Sequence, residues 1–354
     1  YKMRLEELAY LSKAAGFDIV GSSIQIRRRE HPAFVVGRGK LDEIKQATSD
    51  DKVDAIIFYN VLTSKQKYNL TTSLGREILD RYDLTLRIFD LSSSDKLSKL
   101  QITLAKLIKE IPYERLVASI RYKTGKEHPG PKSLGEYSYH EIVAGLLKRR
   151  SNLQEEISRK KREKLMQLSR RKRMNIPTAC IAGYYSAGKT SLFNALTNLN
   201  KAVGPKPFTT LSSKYYLLPD GKRSLFVADT IGFVADLDPR LIASFSLTLE
   251  DIRASDIVIL VVDVSDPIDL MKLRIETCLD LLRKLGIGDR KIVLAFNKCD
   301  LLTGQNELQE RVEELSPTIK ELVHCGISAK TREGLKELMM LISSLLIEEA
   351  EAPA

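Results

Sequence analysis

A chain of 354 residues is long enough for two or three domains, and its 43% hydrophobic and 29% charged residues are typical of folded proteins. Its apolar runs, such as Ile257–Val262, are far shorter than the roughly 20 residues that span a bilayer, so we expect no integral membrane segment. The four cysteines stand singly and the first residues lack the pattern of a secretory signal, which argues against a zinc site or a disulfide framework and favours the cytoplasm.

Charge is distributed unevenly along the chain. The net charge is +10, but residues 1–180 carry 36 basic and 22 acidic side chains, whereas residues 181–354 carry 20 and 24. Such an asymmetry predicts a polyanionic partner for the N-terminal half, such as a nucleic acid or an anionic membrane. The alternative is a basic helix surface that faces water and has no specific partner.

Residues 1 to about 90 alternate between helical and strand patterns. Alternation of this kind favours an α/β domain, which we place at residues 1–93. The predicted helices are Leu5–Ala15, Asp42–Ala47 and Ser64–Leu74, and the predicted strands are Ile24–Ile26, Phe34–Val36, Ala55–Tyr59 and Ile78–Asp80 together with Leu84–Phe89.

Residues 94–176 are predicted to form a long helical arm. Along Lys96–Tyr122 apolar residues recur at steps of three and four, with a bend expected at Pro112. A loop rich in Gly and Pro follows at Gly125–Gly135, and the helical pattern resumes over Tyr139–Arg173 with many Lys and Arg residues. Two long helices joined by such a loop pack most economically as an antiparallel, coiled-coil-like pair.

Residues 177–348 alternate regularly between strands and helices, which predicts a mostly parallel, doubly wound sheet, and residues 349–354 are expected to form a frayed tail. A turn at Pro219–Gly221 predicts a hairpin between the second and third strands. The predicted strands are Thr178–Ala182, Lys214–Leu218, Ser224–Ala228, Ile257–Asp263, Lys291–Phe296 and Leu322–Ile327.

The first chemical motif is Gly183–Thr190, which has the form G-x-x-x-x-G-K-[ST] between an apolar strand and a helical pattern. Its two glycines let backbone N–H groups and the N-terminus of the next helix surround phosphates. We therefore expect Lys189 to lie against the β- and γ-phosphates and the Thr190 hydroxyl to bind Mg²⁺. The nucleotide-binding residues predicted in this segment are Gly183, Tyr184, Tyr185, Ser186, Ala187, Gly188, Lys189, Thr190 and Ser191.

Two further segments are predicted to complete the phosphate site. Asp229-Thr230-Ile231-Gly232 follows a strand, where a carboxylate holds Mg²⁺ through water and the Gly232 N–H reaches the γ-phosphate. Phe208-Thr209-Thr210-Leu211 occupies the switch I position, where one threonine, with Thr210 favoured, coordinates Mg²⁺ until hydrolysis. The predicted catalytic residues are Lys189, Thr210 and Gly232, and the predicted metal ligands are Thr190, Thr210 and Asp229.

Two segments that each follow a strand are predicted to bind the base, and they are Asn297-Lys298-Cys299-Asp300 and Ser328-Ala329-Lys330. The Asp300 carboxylate can accept hydrogen bonds from N1–H and the exocyclic amine of guanine, and adenine offers neither donor there. Four motifs in this order, each at the carboxyl end of a strand, predict a guanine-nucleotide site. Phe233, however, cannot orient an attacking water by a hydrogen bond, so either intrinsic hydrolysis is slow or another group is supplied.

With these motifs in place, the chain resembles the HflX family of ribosome-associated P-loop GTPases over nearly its whole length. The segments 208–211 and 229–233 are similar to that family's F-A-T-L and D-T-V-G-F. Upstream, Val36–Lys40 is similar to its V-G-x-G-K motif, and Lys99–Ala105 is similar to the K-L-Q-x-x-L-A of its helical arm. The resemblance implies that the protein binds the large ribosomal subunit, with the N-terminal domain and basic arm reaching rRNA, and that some members dissociate idle ribosomes.

The leading hypothesis is therefore a monomeric GTPase switch that binds GTP or GDP with Mg²⁺, hydrolyses GTP slowly and associates with the large ribosomal subunit. The alternative is a nucleotide-gated scaffold or membrane-surface protein with little hydrolysis. A second nucleotide site at Gly37–Lys40 stays open beside the simpler interpretation of a glycine turn.

Overall fold

The computed structural model describes residues 2–49, 53–93, 95–123, 134–199, 214–220, 223–230, 232–233, 241, 246–304, 306–320 and 322–351. The chain divides into two compact units, Tyr1–Leu91 with Lys99–Lys160 and Ser92–Ser98 with Lys161–Ala354. Within the described ranges, no helix combines the length and the apolar character needed to cross a bilayer.

The first unit is an α/β structure built around two parallel strands. Strand β1 (Ala55–Phe58) pairs with β2 (Glu77–Asp80), and helix α3 (Ser64–Leu74) connects them. Helix α3 begins where it does because Thr63 and Gln66 form a capping box, in which each side chain accepts a hydrogen bond from the other residue's backbone N–H. The helices around this pair are α1 (Lys2–Ala14), α2 (Arg38–Ala47) and α4 (Arg81–Ser92).

Three strand predictions in this unit are wrong. The segment 24–26 has no regular structure, and Phe34–Val36 contributes only an isolated antiparallel bridge between His31 and Val35. Leu84–Phe89 lies in α4, whose side chains at positions 84, 85, 86, 88 and 89 are all buried. A short and mostly buried run of this length has no clear periodicity that separates a strand from a helix, which explains the error.

Two long helices follow, α5 (Lys96–Lys123) and α6 (Leu134–Arg173), close to the two helical patterns of the sequence, and their packing as an arm stays a prediction. Helix α5 continues through Pro112. It is fixed to the first unit by Lys109, whose Nζ lies 2.5 Å from Asp80 Oδ2 and 2.9 Å from Asp83 Oδ1. Burial alone would raise the pKa of Asp83, but Lys109 and Lys67 lower it below its ordinary value.

The second unit contains a six-stranded sheet with the order β4-β5-β3-β6-β7-β8. Strands β4 and β5 pair as an antiparallel hairpin, as predicted, and every other neighbouring pair is parallel. The strands are β3 (Thr178–Gly183), β4 (Lys214–Asp220), β5 (Arg223–Asp229), β6 (Ile257–Asp263), β7 (Ile292–Asn297) and β8 (Val323–Gly326). The helices are α7 (Lys189–Thr197), α8 (Ser246–Arg253), α9 (Ile268–Lys284), α10 (Glu307–Ile319) and α11 (Leu335–Glu351).

Helices cover both faces of this sheet. On one face Ile181, Ile259 and Ala295 belong to a core that includes Leu192 of α7 and Leu338 of α11. On the other face α8 packs against β3, and α9 packs against β6. Every residue of β6 and β7 is buried, as expected for parallel strands with helices on both sides. The predicted doubly wound architecture is confirmed, and it brings the carboxyl ends of β3, β5, β6 and β7 to one edge.

Candidate functional site

The loop Gly183–Thr190 joins the carboxyl end of β3 to the first turn of α7. Gly183 has φ +145°, and a Cβ there would lie 2.4 Å from the Val261 carbonyl oxygen of β6. Gly188 precedes α7 with φ +95°, and a Cβ there would lie 2.2 Å from Asn297 Nδ2. Both glycines are therefore needed, one for a close approach to the neighbouring strand and the other for a left-handed turn into the helix.

Lys189 lies inside this loop. Its side chain is buried, and Nζ donates a hydrogen bond to the Tyr184 carbonyl oxygen over 2.6 Å. Burial lowers the pKa of Lys189 to about 8, although the Asp229 carboxylate acts in the opposite direction. A Cβ on Gly232 would lie 3.0 Å from Lys189 Nζ, so Gly232 brings its backbone against the lysine head group. The Lys189 ammonium group and the Gly232 backbone therefore lie side by side at the phosphate loop.

Thr190 and Asp229 meet directly beside the loop. Thr190 Oγ1 donates to Asp229 Oδ2 over 3.2 Å, and both residues are buried. The neighbouring Thr230 hydroxyl donates to the Ile181 carbonyl over 2.6 Å, which fastens the end of β5 to β3. A hydroxyl and a carboxylate are hard oxygen donors of the kind that Mg²⁺ prefers beside phosphates, so this residue pair fits the predicted ion.

Phe233 lies beyond the end of β5, and its backbone pairs with the phosphate loop Gly183–Thr190. Its N–H donates to the Gly183 carbonyl, and its carbonyl accepts the Tyr185 N–H, each over 2.9 Å. The phenyl ring is only 1% exposed, so the side chain belongs to the core and presents no group to solvent. The sequence predicted that Phe233 lacks the chemistry of a glutamine, but the backbone pairing with the loop was missed.

The two predicted base-binding segments are held together by Asn297, which ends β7. Its Nδ2 donates to the Ala187 carbonyl, and its Oδ1 accepts the Ala329 N–H, each over 2.9 Å. Ser328 Oγ donates to Asp300 Oδ1 over 2.6 Å, which orients the carboxylate predicted to read guanine. Asn297 thus joins the phosphate loop to both base segments.

The remaining members of these segments have separate partners. Lys298 forms an ion pair with Asp263 at the end of β6, and Lys330 is exposed with Nζ 4.0 Å from Asp300 Oδ2. Cys299 is turned inward, because its N–H donates to the Ile327 carbonyl and its Sγ donates to the Phe296 carbonyl over 3.2 Å. Burial raises the pKa of the Cys299 thiol, which keeps it protonated.

Arg274 is a neighbour of the loop that the sequence did not indicate. Its guanidinium carbon lies 4.8 Å from the ring centre of Tyr184 and 5.6 Å from that of Tyr185, and the two rings are 4.8 Å apart. Arg274 also forms an ion pair with Asp266. A cation within 6 Å of two buried tyrosine rings adds cation–π attraction to the packing of the loop. No local motif marks Arg274, because it lies on α9, far along the chain.

Five of the predicted site residues lie outside the described part of the chain. Their roles, including that of the favoured Mg²⁺-binding threonine, stay predictions. They are Phe208, Thr209, Thr210, Leu211 and Ile231.

Comparison with known proteins places this geometry in a family. The family model described as GTP-binding GTPase N-terminal matches residues 2–90, and the one described as 50S ribosome-binding GTPase matches residues 178–298. GTPase HflX of Thermofilum pendens is 35% identical over 348 residues, which cover 98% of this chain and 81% of that protein. GTPase HflX of Thermococcus kodakarensis is 33% identical over 349 residues, covering 97% and 77%. A crystal structure described as SsGBP in complex with GDP has a TM-score of 0.52 and 27% identity, and the match covers 98% of this chain and 96% of that one. The chain therefore belongs to the HflX family of GTPases, and GTP hydrolysis is its activity.

Proposed function

We propose that this GTPase works as a switch that binds GTP or GDP with Mg²⁺ in the site described above and, in its GTP-bound form, associates with the large ribosomal subunit in the cytoplasm. One observation carries the nucleotide site. The Asn297 side chain links the phosphate loop at Ala187 to the base segment at Ala329, so phosphate and base contacts share one rigid frame. The GDP bound to the similar SsGBP supports the same ligand class for this chain.

In this proposal Mg²⁺ is held by Thr190 and Asp229, joined by Thr210 in the GTP state. The ion would neutralise phosphate charge and orient the γ-phosphate when bound. The chain itself supplies Lys189 as a point charge against the β- and γ-phosphates and the backbone N–H of Gly232 beside it. These groups stabilise the negative charge that develops on the transferred phosphoryl group.

We propose that intrinsic hydrolysis is slow. The Phe233 ring is buried and carries no hydrogen-bonding group, so it cannot orient the attacking water. A group supplied by a bound partner would raise the rate, since a missing transition-state interaction is worth orders of magnitude in phosphoryl transfer.

The basic end of α6 supports the ribosomal part of the proposal. Arg162, Arg170 and Arg173 are exposed to solvent. Lysine and arginine contacts to phosphates supply most of the non-specific affinity for RNA. The family description as a 50S ribosome-binding GTPase points in the same direction. Lys164, which has the same basic character in the sequence, instead lies 2.6 Å from the buried Asp251 and does not belong to the exposed surface.

The test is co-sedimentation of the full-length protein with large ribosomal subunits in the presence of a non-hydrolysable GTP analogue. The wild type should pellet, and the reversal of Arg162, Arg170 and Arg173 to Glu should weaken binding. It should also reduce the slope of log affinity against log salt by about one for each phosphate that the variant no longer neutralises. The matched control reverses three exposed lysines on α9 and α11 with the same change in charge, and it should bind almost normally. These control residues are Lys272, Lys284 and Lys336.

Two results would contradict the proposal. If the wild type binds anionic vesicles but not ribosomal subunits, the protein acts at a membrane surface instead. If the arginine variant and the lysine control lose affinity equally, the effect reflects net charge and not a contact made by α6.

A further inference from the structure

Asp251 of α8 is a buried carboxylate outside the nucleotide site, and its side chain is 1% exposed. Lys164 Nζ of α6 lies 2.6 Å from Oδ2, and the Tyr215 hydroxyl of β4 donates to Oδ1 over 2.6 Å. The Cys180 thiol of β3 donates to the Asp251 backbone carbonyl over 3.2 Å. We call these four residues the Asp251 junction. It joins four separate elements of the second unit through one residue.

Helix α6 contacts this junction through two residues. The first is Lys164, and the second is Arg171, whose guanidinium carbon lies 3.6 Å from the centre of the Tyr215 ring. Lys164 and Arg171 are seven residues apart, which is about two helical turns and places them on the same face. Burial, together with the nearby Asp251 carboxylate, raises the pKa of the Tyr215 phenol, so Tyr215 stays protonated and continues to donate. The attachment therefore combines an ion pair, a hydrogen bond and a cation–π contact.

Two of the elements that meet at the Asp251 junction follow the proposed switch I and switch II segments in the chain, which change conformation with the bound nucleotide in GTPases. Tyr215 is the second residue of β4, which begins shortly after the proposed switch I threonines. Asp251 lies on α8, which follows Gly232 in the chain, and Cys180 lies in β3 directly upstream of the phosphate loop. Asp251 thus lies on the helix that follows switch II, its carboxylate contacts the strand that follows switch I, and its backbone carbonyl contacts the strand that leads into the phosphate loop.

A buried carboxylate makes such a junction sensitive to displacement. If α8 or β4 moves away from α6, the charge of Asp251 or Lys164 loses its partner in a medium that solvates it poorly. The arrangement with every interaction in place is therefore strongly favoured over intermediate ones, and a shift of one element is passed to the others. A solvent-exposed ion pair would absorb the same shift at little cost.

We propose that Asp251 is a positioning residue that couples the nucleotide-dependent positions of switch I and switch II to the end of α6. The inference rests on the switch positions proposed above. It explains why the helix that carries the exposed arginines contacts both β4 and α8, the two elements that follow the proposed switches in the chain. In this scheme the nucleotide sets the position of α6 through one carboxylate.

The experiment is hydrogen–deuterium exchange of the full-length protein with GDP and with a non-hydrolysable GTP analogue. In the wild type, peptides from residues 161–173 should exchange at rates that differ by roughly fivefold or more between the two nucleotides, the lower range of typical coupling between sites. Asp251→Asn should reduce this difference to less than about twofold, and affinity for both nucleotides should remain within about threefold of wild type because the residue lies outside the site. Tyr215→Phe should give an intermediate loss.

Controls separate coupling from simple destabilisation. Arg162→Met removes one positive charge from the exposed surface of the same helix, and it should keep the full difference. The double variant Lys164→Met with Asp251→Asn leaves no uncompensated charge, so it should fold even if a single variant does not, and it should also lose the difference. Loss in Asp251→Asn and in the double variant, with retention in Arg162→Met, supports the inference.

The failures of the two proposals are distinguishable. If residues 205–213 and 231–245 of the wild type exchange alike with both nucleotides, the proposed switches are misplaced and the coupling falls with them. Coupling through Asp251 is overturned, with the switch positions retained, if exchange in residues 205–213 and 231–245 depends on the nucleotide but exchange in residues 161–173 does not. It is also overturned if the nucleotide dependence of residues 161–173 survives in Asp251→Asn and in the double variant.

Discussion

The lowered pKa of Lys189 predicts that the protein takes up a proton when it binds a nucleotide. In the protein by itself, burial lowers the pKa of Lys189 to about 8. A phosphate beside the ammonium group favours its charged form and raises that pKa. The bound state therefore holds a proton that the free protein loses as the pH rises through about 8. Affinity should be constant well below this pH and should fall above it, because free protein must first be protonated.

The magnitude follows from the same pKa. With a free-state pKa of about 8 and a bound-state pKa well above 9, the dissociation constant for GDP should rise about tenfold from pH 7 to pH 9, or about 1.4 kcal/mol. At pH 8.5 binding should take up about three quarters of a proton.

Isothermal titration calorimetry measures both quantities, since proton uptake appears as a dependence of the observed enthalpy on the ionisation enthalpy of the buffer. Lys189→Met is the matched control. It should bind GDP more weakly but with little dependence on pH, and any slope that remains reports other groups, including the guanine base. A wild-type dissociation constant that changes less than twofold between pH 7 and pH 9 would refute the reasoning.

Two further predictions concern the frame of the site. Gly188→Ala forces an alanine into φ +95° with its Cβ 2.2 Å from Asn297 Nδ2, so the second unit should lose about 2–4 kcal/mol from backbone strain and from disturbed buried hydrogen bonds. Gly286→Ala, at φ +81° with no atom within 4 Å of the new Cβ, should lose only about 1–2 kcal/mol; equal urea midpoints for the two variants would contradict the steric argument. Asp300→Asn should weaken GTP binding strongly and favour xanthosine triphosphate, because an amide presents a donor to the donors of guanine. Calorimetry with both nucleotides is the measurement, and unchanged GTP affinity would remove Asp300 from the base pocket.

The GTPase fold and the order of its motifs follow from the amino-acid sequence alone. Strands such as Ile257–Asp263 and Ile292–Asn297 are buried on both faces and form uninterrupted apolar runs, and the first base-binding motif begins at the end of the second of them. Positions 183 and 188 require glycine, because a Cβ there would collide with a neighbouring atom. These signals are local, so they can be recognised without knowledge of the rest of the chain.

Which distant residues act together depends on the tertiary structure. The pattern of Leu84–Phe89 is assigned to a strand because a short and mostly buried run has no clear period, yet the segment is helical in the fold. Lys164 reads as one more basic residue of the arm until Asp251, 87 residues away, is brought to 2.6 Å from its ammonium group. Arg274 likewise has no motif, and its place above Tyr184 follows from the packing of α9 against β6. Local sequence determines backbone preference and burial, whereas pairing between charges depends on where the fold brings them, which no single segment encodes.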